Sequence, residues 1–145
     1  MLEIYQGALP TQRLYKKFED QARKHNYGAS CIFVGLVRKE DDIDGLSFDI
    51  YQPLLETWFQ EWCIRLQKKE VILCMAHSCG DVFIGESSFM CALLSSQRKN
   101  ALEVFDEFVE DFKHRAPIWK FDLKNSKRVF AASRSHPLPS SGILA

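Results

Sequence analysis

The chain has 145 residues, enough for one domain with a substantial core and too few for two comfortable ones. Its composition is ordinary for a globular protein, with 46% hydrophobic and 26% charged residues. The formal net charge is zero, so no long-range field draws the protein to nucleic acid or to a membrane surface. Any anion binding must therefore come from local clusters of charge.

Targeting and redox signals favour the cytoplasm. Residues 1–21 lack the order of basic, apolar and small residues that marks a signal peptide. The longest apolar run, residues 31–37, is far too short to cross a bilayer. Five cysteines at irregular spacings do not make a disulfide framework, so we expect reduced cysteines in a cytoplasmic protein.

The first half of the chain alternates strand and helix patterns. Residues 2–6 predict a short strand, and a helix follows with Thr11 as its N-cap. Residues 29–37 are almost uniformly apolar, which is typical of a strand buried on both faces. A polar loop over residues 39–45 then leads to residues 46–50, where apolar and polar side chains alternate as in a half-buried strand.

The second half continues this mixture of helices and strands. A helix is marked by apolar residues at helical spacing: Leu55, Trp58, Phe59, Trp62 and Leu66. Residues 71–76 and 88–94 predict two strands, and Gly80 and Gly85 indicate turns between them. Residues 128–132 predict a last short strand.

Residues 95–120 are the most informative stretch. They predict one amphipathic helix that ends before Pro117 and is followed by an extended exit segment. The apolar stripe recurs at helical spacing: Ala101, Val104, Phe105, Phe108 and Phe112. Cations in the last turn suit the helix dipole, but Arg98 in the first turn opposes it. An anionic ligand is the simplest reason for that placement.

The order of the elements predicts the fold class. Adjacent strand pairs interleaved with three main helices favour an α+β fold with a mainly antiparallel sheet over a doubly wound fold. We expect a single domain over residues 1–135 and a flexible tail over residues 136–145. No glycine-rich phosphate loop is present, which argues against nucleotide binding of the common kinds.

Six cations are candidates for an anion site: Arg38, Arg98, Lys113, Arg115, Lys120 and Arg134. A single Lys or Arg is most often a solvated surface charge. Two of the six are stronger candidates for anion binding because of their positions in the sequence. Arg38 directly follows an apolar strand, and Lys120 follows a proline-stiffened segment. Arg98 and Lys113 lie about 22 Å apart on one helix at ~1.5 Å per residue, so one chain cannot bring both to one small anion. Either they serve separate sites, or a dimer brings Arg98 of one subunit toward Lys113 of the other.

Metal and nucleophile chemistry have weaker support. Cys74, His77 and Cys79 offer soft ligand atoms, but a zinc site usually needs four ligands in paired spacings, and no second pair is visible. The four histidines form no nucleophile–base pattern. We therefore expect neither a metal nor a cofactor.

Three segments together resemble the large, catalytic subunit of molybdopterin synthase. They are residues 28–38, 77–86 and 95–120, and the most specific part is K-x-R-A-P-x-W-K at the end of the third segment. The resemblance extends from about Gly28 to Arg134 and covers most of the chain. It implies a fold of the α/β hammerhead type, in agreement with the α+β class.

The resemblance implies a sulfurtransferase of molybdenum cofactor biosynthesis in the cytoplasm. The family installs a dithiolene in cyclic pyranopterin monophosphate and so forms molybdopterin. The sulfur comes from a small ubiquitin-like subunit, whose C-terminal Gly-Gly carries a thiocarboxylate and enters a pocket of the large subunit. Two large subunits form the central dimer of a heterotetramer, and the pocket draws on both of them.

The resemblance also assigns roles to residues. Lys113 and Lys120 fall on the essential lysines of the family, beside the incoming thiocarboxylate. Arginines at three matching positions would hold the phosphate and the ring of the substrate. The substrate-binding candidates are Arg38, Gln97, Arg98, Arg134, Phe33, Val37 and Asp122.

Two positions depart from the family pattern. Gln97 stands where the family commonly has histidine, and Ser78 stands where it commonly has arginine. Gln97 can hydrogen-bond a ligand but cannot act as an acid or base near neutral pH. Two alternatives therefore stay open: a non-catalytic or weakened homologue that binds anions and the ubiquitin-like partner as a dimer, and a generic anion-binding dimer without that partner.

Overall fold

The computed structural model describes residues 1–130, and these residues form three helices and seven strands. The elements in chain order are β1 Leu2–Gln6, α1 Thr11–Lys24, β2 Ala29–Leu36, β3 Gly45–Ile50, α2 Gln52–Gln67, β4 Val71–Phe83, β5 Ser87–Ser95, α3 Arg98–Arg115, β6 Ile118–Lys124 and β7 Lys127–Phe130. The predicted α+β class, with a mainly antiparallel sheet and three main helices, is confirmed. Arg134 and the predicted tail lie outside the described residues.

β4 joins the two halves of the sheet. The strand order is β2-β5-β4-β3-β6-β7; β1 pairs with β4 in parallel, and the other pairs are antiparallel. The first part of β4 pairs with β5 over residues 71–77 and with β1 over residues 75–79. Its last part pairs with β3 over residues 80–83, and β3 in turn carries β6.

β4 is longer than the strand predicted over residues 71–76. Gly80, which we expected to mark a turn, lies inside this strand with a φ of 81°, a left-handed conformation that glycine adopts without strain. A Cβ at this position would collide with the side-chain amide of Gln6. The turn prediction at Gly80 was therefore wrong, because the glycine lies in a continuous strand where pairing changes from β1 to β3.

β2 is half-exposed, so the prediction of a strand buried on both faces was wrong. Within residues 1–130, β2 pairs with β5 alone and lies at the end of the sheet. Its side chains Phe33, Val34 and Leu36 are 37%, 38% and 65% exposed. An apolar strand at a sheet edge leaves apolar surface uncovered, which is typical of an interaction site.

The helices cover both faces of the sheet. α1 packs against the face that carries Cys74 and Ala76, whereas α2 and α3 pack against the opposite face. Complete burial of the α1 side chain Phe18 stabilises the fold by about 1.5–3 kcal/mol. Thr11 is the first residue of α1 and not its N-cap as predicted, because Pro10 holds the capping position. In the described part of the chain, no helix is long and apolar enough to span a bilayer.

α3 begins at Arg98, later than the helical pattern suggested. Ser95 still pairs in β5, and Gln97 keeps an extended conformation before the first turn. The predicted apolar stripe is confirmed, since all of its members lie in the core or pack against it: Ala101, Val104, Phe105, Phe108 and Phe112. The stripe fixes which side of α3 faces the sheet and leaves both charged ends at the surface.

β6 is a strand, where the sequence predicted only an extended exit segment after α3. Trp119 and Leu123 are buried, while Lys120 and Asp122 lie on the other side of the strand and are half-buried. This alternation of period two was visible in the sequence. Because β6 pairs with β3, Lys120 lies opposite Phe48 in the sheet.

Candidate active site

Three cations that are far apart in the sequence line one pocket of about 390 Å³. Arg38 follows β2, Lys113 lies in the last turn of α3, and Lys120 lies in β6. Lys113 is exposed and Lys120 is half-buried. We call this the cationic pocket, and its other lining residues are Leu36, Glu40, Ile43 and Leu46.

The connection between α3 and β6 brings the two lysines together. Ala116 caps the end of α3 in an extended conformation, and its N–H donates to the Phe112 carbonyl at 3.2 Å. The N–H of Ile118 then donates to the Ala116 carbonyl at 2.7 Å. Because this short exit leads directly into β6, Lys113 and Lys120 line the same pocket.

Arg38 is held by one carboxylate and stays open to solvent. Its Nε and Nη2 atoms lie 2.8 Å and 2.7 Å from Oε1 of Glu40. The Arg38 side chain is 83% exposed, so an incoming anion can reach its guanidinium group. Together with Lys113 and Lys120, the described lining of the pocket has three cations and one carboxylate, an excess of positive charge that suits an anion.

A second pocket of about 350 Å³ adjoins the first and shares both lysines with it. We call it the aromatic pocket, because its ring-bearing wall consists of Phe33, Phe48, His77, Phe89 and Phe112, with His114 near Lys113. Phe89 and Phe112 stack with their ring centroids 3.8 Å apart and their planes 4° from parallel. Lys113 and Lys120 therefore lie between the aromatic pocket and the cationic pocket.

The chain matches the sequence model of the MoaE protein family over residues 9–115. It belongs to the MoaE family. A molybdopterin synthase catalytic subunit of Helicobacter pylori (strain ATCC 700392 / 26695) is 57% identical over 145 residues, 100% of both chains. The resemblance read from the sequence is thereby confirmed.

Solved structures of MoaE relatives share this fold. The complex of subunits 1 and 2 of molybdopterin-converting factor from Helicobacter pylori 26695 contains a chain with 57% identity and a TM-score of 0.93, and the match covers 99% of each chain. The molybdopterin synthase of Staphylococcus aureus is 22% identical with a TM-score of 0.73, covers 88% of this chain and 94% of its own, and supports the fold alone.

The other end of α3 forms a separate depression. Gln97 and Arg98 line an open depression of about 870 Å³, together with Gly28, Lys99 and neighbouring residues. This depression shares no lining residue with the two pockets that contain Lys113. This separation agrees with the expectation that one MoaE chain cannot bring its own Arg98 and Lys113 to the same small anion.

The remaining predicted site residues differ in their access to the pockets. Phe33 lines the aromatic pocket. Val37 is 2% exposed and packs with Phe48 and Val82, so its described side chain lines neither pocket. Asp122 is half-buried on the same side of β6 as Lys120. The structure does not describe Arg134.

His77 is a pocket residue to which sequence reasoning gave no role in binding. It is 3% exposed, and burial lowers its pKa to about 4. The only sequence signal was its place on an apolar strand within the segment that resembles the family. The departure at Ser78 falls outside the pockets, because Ser78 is fully buried and alternation along β4 turns it away from His77.

Four of the five cysteines, Cys31, Cys63, Cys74 and Cys91, lie in the core or pack against it. Burial raises the pKa of Cys74 to about 11 and that of Cys91 to about 12. Burial also raises the pKa values of Cys31 and Cys63. These four thiols stay protonated near neutral pH and are poor nucleophiles. Among residues 1–130, no group of three or more His, Cys, Asp or Glu side chains could hold a metal ion.

Proposed function

We propose that this protein is the catalytic subunit of a molybdopterin synthase, formed as a single domain over residues 1–135. It transfers sulfur from the thiocarboxylated C-terminus of a small ubiquitin-like subunit to cyclic pyranopterin monophosphate and so forms the dithiolene of molybdopterin. The observation that carries the proposal is the convergence of Arg38, Lys113 and Lys120 on one pocket. The full-length identity of 57% to a molybdopterin synthase catalytic subunit supports the same reaction.

Electrostatics explains why this reaction needs the cationic pocket. The phosphate of the precursor and the thiocarboxylate of the partner are both anions and must be held close together. Two unit charges about 4 Å apart repel each other by about 4 kcal/mol at an effective dielectric constant of about 20. Arg38, Lys113 and Lys120 supply the positive charge that offsets this repulsion.

The two kinds of cation suit different tasks. The planar guanidinium of Arg38 can bind a phosphate through two parallel hydrogen bonds, which fixes the substrate. Lys113 and Lys120 provide mobile point charges next to the thiocarboxylate, and a lysine can also transfer a proton or act as a nucleophile. In each transfer the thiocarboxylate sulfur forms a carbon–sulfur bond with the precursor as a carbon–oxygen bond at the same carbon breaks and its oxygen leaves. Water then cleaves the acyl–sulfur bond, so the sulfur stays on the precursor and the partner is left with a carboxylate.

We also propose a homodimer of this chain, extended by two partner subunits to a heterotetramer. Arg98 and Gln97, with Arg134, would then complete the pocket of the neighbouring subunit. The separation of Arg98 from Lys113 within one chain supports this arrangement. The exposed apolar edge of β2 offers a surface for it, and the similarity to one chain of a two-subunit complex supports the small partner.

A cytoplasmic location fits the proposal. All five cysteines are free thiols, as expected in a reducing compartment. The reaction needs neither a resident metal nor an organic cofactor, since the sulfur arrives on the partner.

Reconstitution tests the function. The purified protein, a thiocarboxylated partner subunit and the precursor should together form molybdopterin. Lys113→Ala should lower the rate of product formation by about 100-fold or more, because a charge next to the reacting group is lost, and Lys120→Ala should act similarly. Lys68→Ala removes an exposed lysine at the end of α2 and should keep the wild-type rate.

The same assay separates the alternatives. A protein that binds the partner but forms no product at saturating precursor would be the weakened homologue, with Gln97 as the first position to examine. A protein that binds phosphate esters without the partner would be a generic anion-binding dimer. A Lys113→Ala variant with normal turnover would contradict the central role of Lys113.

A further inference from the structure

His77 lies in the wall of the aromatic pocket and is enclosed by rings from three elements. Its ring centroid lies 4.9 Å from that of Phe48 in β3, 5.6 Å from that of Phe112 in α3 and 5.9 Å from that of Phe89 in β5. The residue is 3% exposed. The three rings that enclose His77 are all phenyl rings, so its imidazole is the polar ring of this cluster.

One nitrogen of His77 is committed to the backbone. Nδ1 lies 2.7 Å from the carbonyl oxygen of Ser78, and a carbonyl oxygen only accepts hydrogen bonds. Nδ1 must therefore carry the proton. In a neutral imidazole, this tautomer leaves Nε2, at the far tip of the ring, as a bare acceptor.

The surroundings keep His77 neutral. Burial in the aromatic wall disfavours the imidazolium form and lowers the pKa of His77 to about 4. The hydrogen bond to the Ser78 carbonyl favours the protonated ring and only partly offsets this lowering of the pKa. Lys113 and Lys120 line the same pocket. His114, the other titratable group of this pocket, is exposed and bonds its Nδ1 to the Glu110 carbonyl.

Nε2 has no hydrogen-bond partner in the part of the chain that the structure describes. Within residues 1–130, Nε2 is not one of the fully buried atoms without a partner, so the tip of the ring reaches the surface of the pocket. An acceptor at such a surface meets a water or a ligand. The ring is almost completely buried and belongs to the wall of a pocket of about 350 Å³. A ligand in this pocket is thus the natural source of the missing donor.

We propose that Nε2 of His77 accepts a hydrogen bond from an N–H group of the reactant that occupies the aromatic pocket, and so selects and orients that reactant. This inference rests on the proposed function and adds a binding residue to it. A neutral lone pair repels the anionic groups, which leaves phosphate and thiocarboxylate to Arg38, Lys113 and Lys120. An N–H donor occurs both in the peptide backbone of the partner's tail and in the pterin ring.

Two substitutions distinguish the roles of the two ring nitrogens of His77. His77→Asn keeps an amide N–H at the position of Nδ1, so the bond to the Ser78 carbonyl survives while the acceptor at the ring tip is lost. His77→Gln extends an amide oxygen toward the position of Nε2 and restores an acceptor. Melting temperatures of both variants check that the fold is kept.

Titration calorimetry measures the dissociation constants of two ligands for each variant: the partner subunit in its carboxylate form, and the precursor. We expect His77→Asn to raise the dissociation constant of one of these two ligands by about tenfold, which corresponds to the loss of one buried hydrogen bond. His77→Gln should recover most of this affinity. A loss for the partner identifies the peptide N–H, and a loss for the precursor identifies the ring N–H. Unchanged constants for both, or equal losses that His77→Gln does not reverse, would overturn the inference.

A spectroscopic measurement needs no substitution. The ¹⁵N shifts of the His77 ring in the wild-type protein should report a neutral Nδ1–H tautomer, and the Nε2 resonance should move when the recognised ligand binds. An Nε2 resonance that ignores both ligands would contradict the inference. A wild-type protein that binds neither ligand would instead contradict the proposed function, so the two failures are distinguishable.

Discussion

The two ends of α3 have cations in common but differ in their surroundings. At the Lys113 end, the segment after β2 and the strand β6 converge on the helix, and two adjoining pockets result. At the Arg98 end, the helix start and a few neighbours leave a wide, open depression. A cation at a helix end thus becomes part of a pocket only where other elements bring groups to the same ligand. Within residues 1–130, Arg98 lacks such elements, and the proposed dimer would supply them.

Mixed dimers test whether the two ends form one composite site. Arg98→Ala and Lys113→Ala homodimers should each be nearly inactive at limiting precursor. In an equal mixture, half of the dimers are heterodimers with one intact site, so product formation should return to about a quarter of the wild-type rate. The rate of molybdopterin formation after subunit exchange measures this recovery.

The matched control combines Lys113→Ala with Lys120→Ala. Both lysines line the pocket of the same chain, so no heterodimer of this pair contains an intact site and no recovery is expected. If the Arg98 mixture also stays inactive, the two ends of α3 do not share a site.

The pH dependence of stability tests the wall of the Lys113 end. His77 has a pKa lowered from 6.5 to about 4, so between these values the unfolded chain binds a proton that the folded chain does not. The free energy of unfolding should therefore fall by about 3 kcal/mol as the pH decreases from about 6.5 to about 4, and His77 should contribute no pH dependence above that range.

Urea denaturation of the wild type and of His77→Asn between pH 7 and pH 4 isolates this contribution, because the carboxylates titrate in both proteins. In the variant, the free energy of unfolding should depend less on pH, because the contribution of His77 is absent. Parallel curves for the two proteins would mean that the ring of His77 is hydrated and not buried.

Asp111 anchors the Lys113 end of α3 to α2. Its Oδ2 atom accepts hydrogen bonds from the indole N–H groups of Trp58 at 3.0 Å and Trp62 at 2.7 Å. Asp111→Ala leaves both buried indoles without an acceptor, so the free energy of unfolding should decrease by about 2 kcal/mol. Asp106→Ala, at an exposed position of the same helix, should change it by less than about 0.5 kcal/mol. Equal midpoints of urea unfolding for the two variants would show that Asp111 does not stabilise the contact between α3 and α2.

The buried face of α3 was predicted well from the sequence. The stripe of α3 is a local pattern that survives in the fold. β3 is a strand as predicted, but its alternation fails at Ser47, which is 1% exposed and donates a hydrogen bond to Asp81. The burial of β2 was predicted wrongly because its apolar composition is equally compatible with a central strand and with an apolar strand at a sheet edge. β6 was missed although Trp119 and Leu123 alternate with polar residues, since the segment was interpreted only as the exit from a helix.

The site was predicted in part. Lys113 and Lys120 were identified through the K-x-R-A-P-x-W-K motif, and the length of α3 already separated Arg98 from Lys113. The role we propose for His77 could not be found this way. Its neighbours Phe48, Phe89 and Phe112 come from three elements, and no spacing along the chain encodes their contact.

The helices, most strands, the family and the position of the charges follow from the order of the amino acids, because side-chain periodicity and motif spacing are local properties of the chain. The packing of distant elements brings Arg38 to the two lysines and places the imidazole of His77 in the wall of the aromatic pocket beside them. Local patterns do not encode this arrangement, because a pocket forms where elements distant in the chain meet. Here β6 pairs with β3 and returns Lys120 to the end of α3, and β4 brings His77 beneath Phe112.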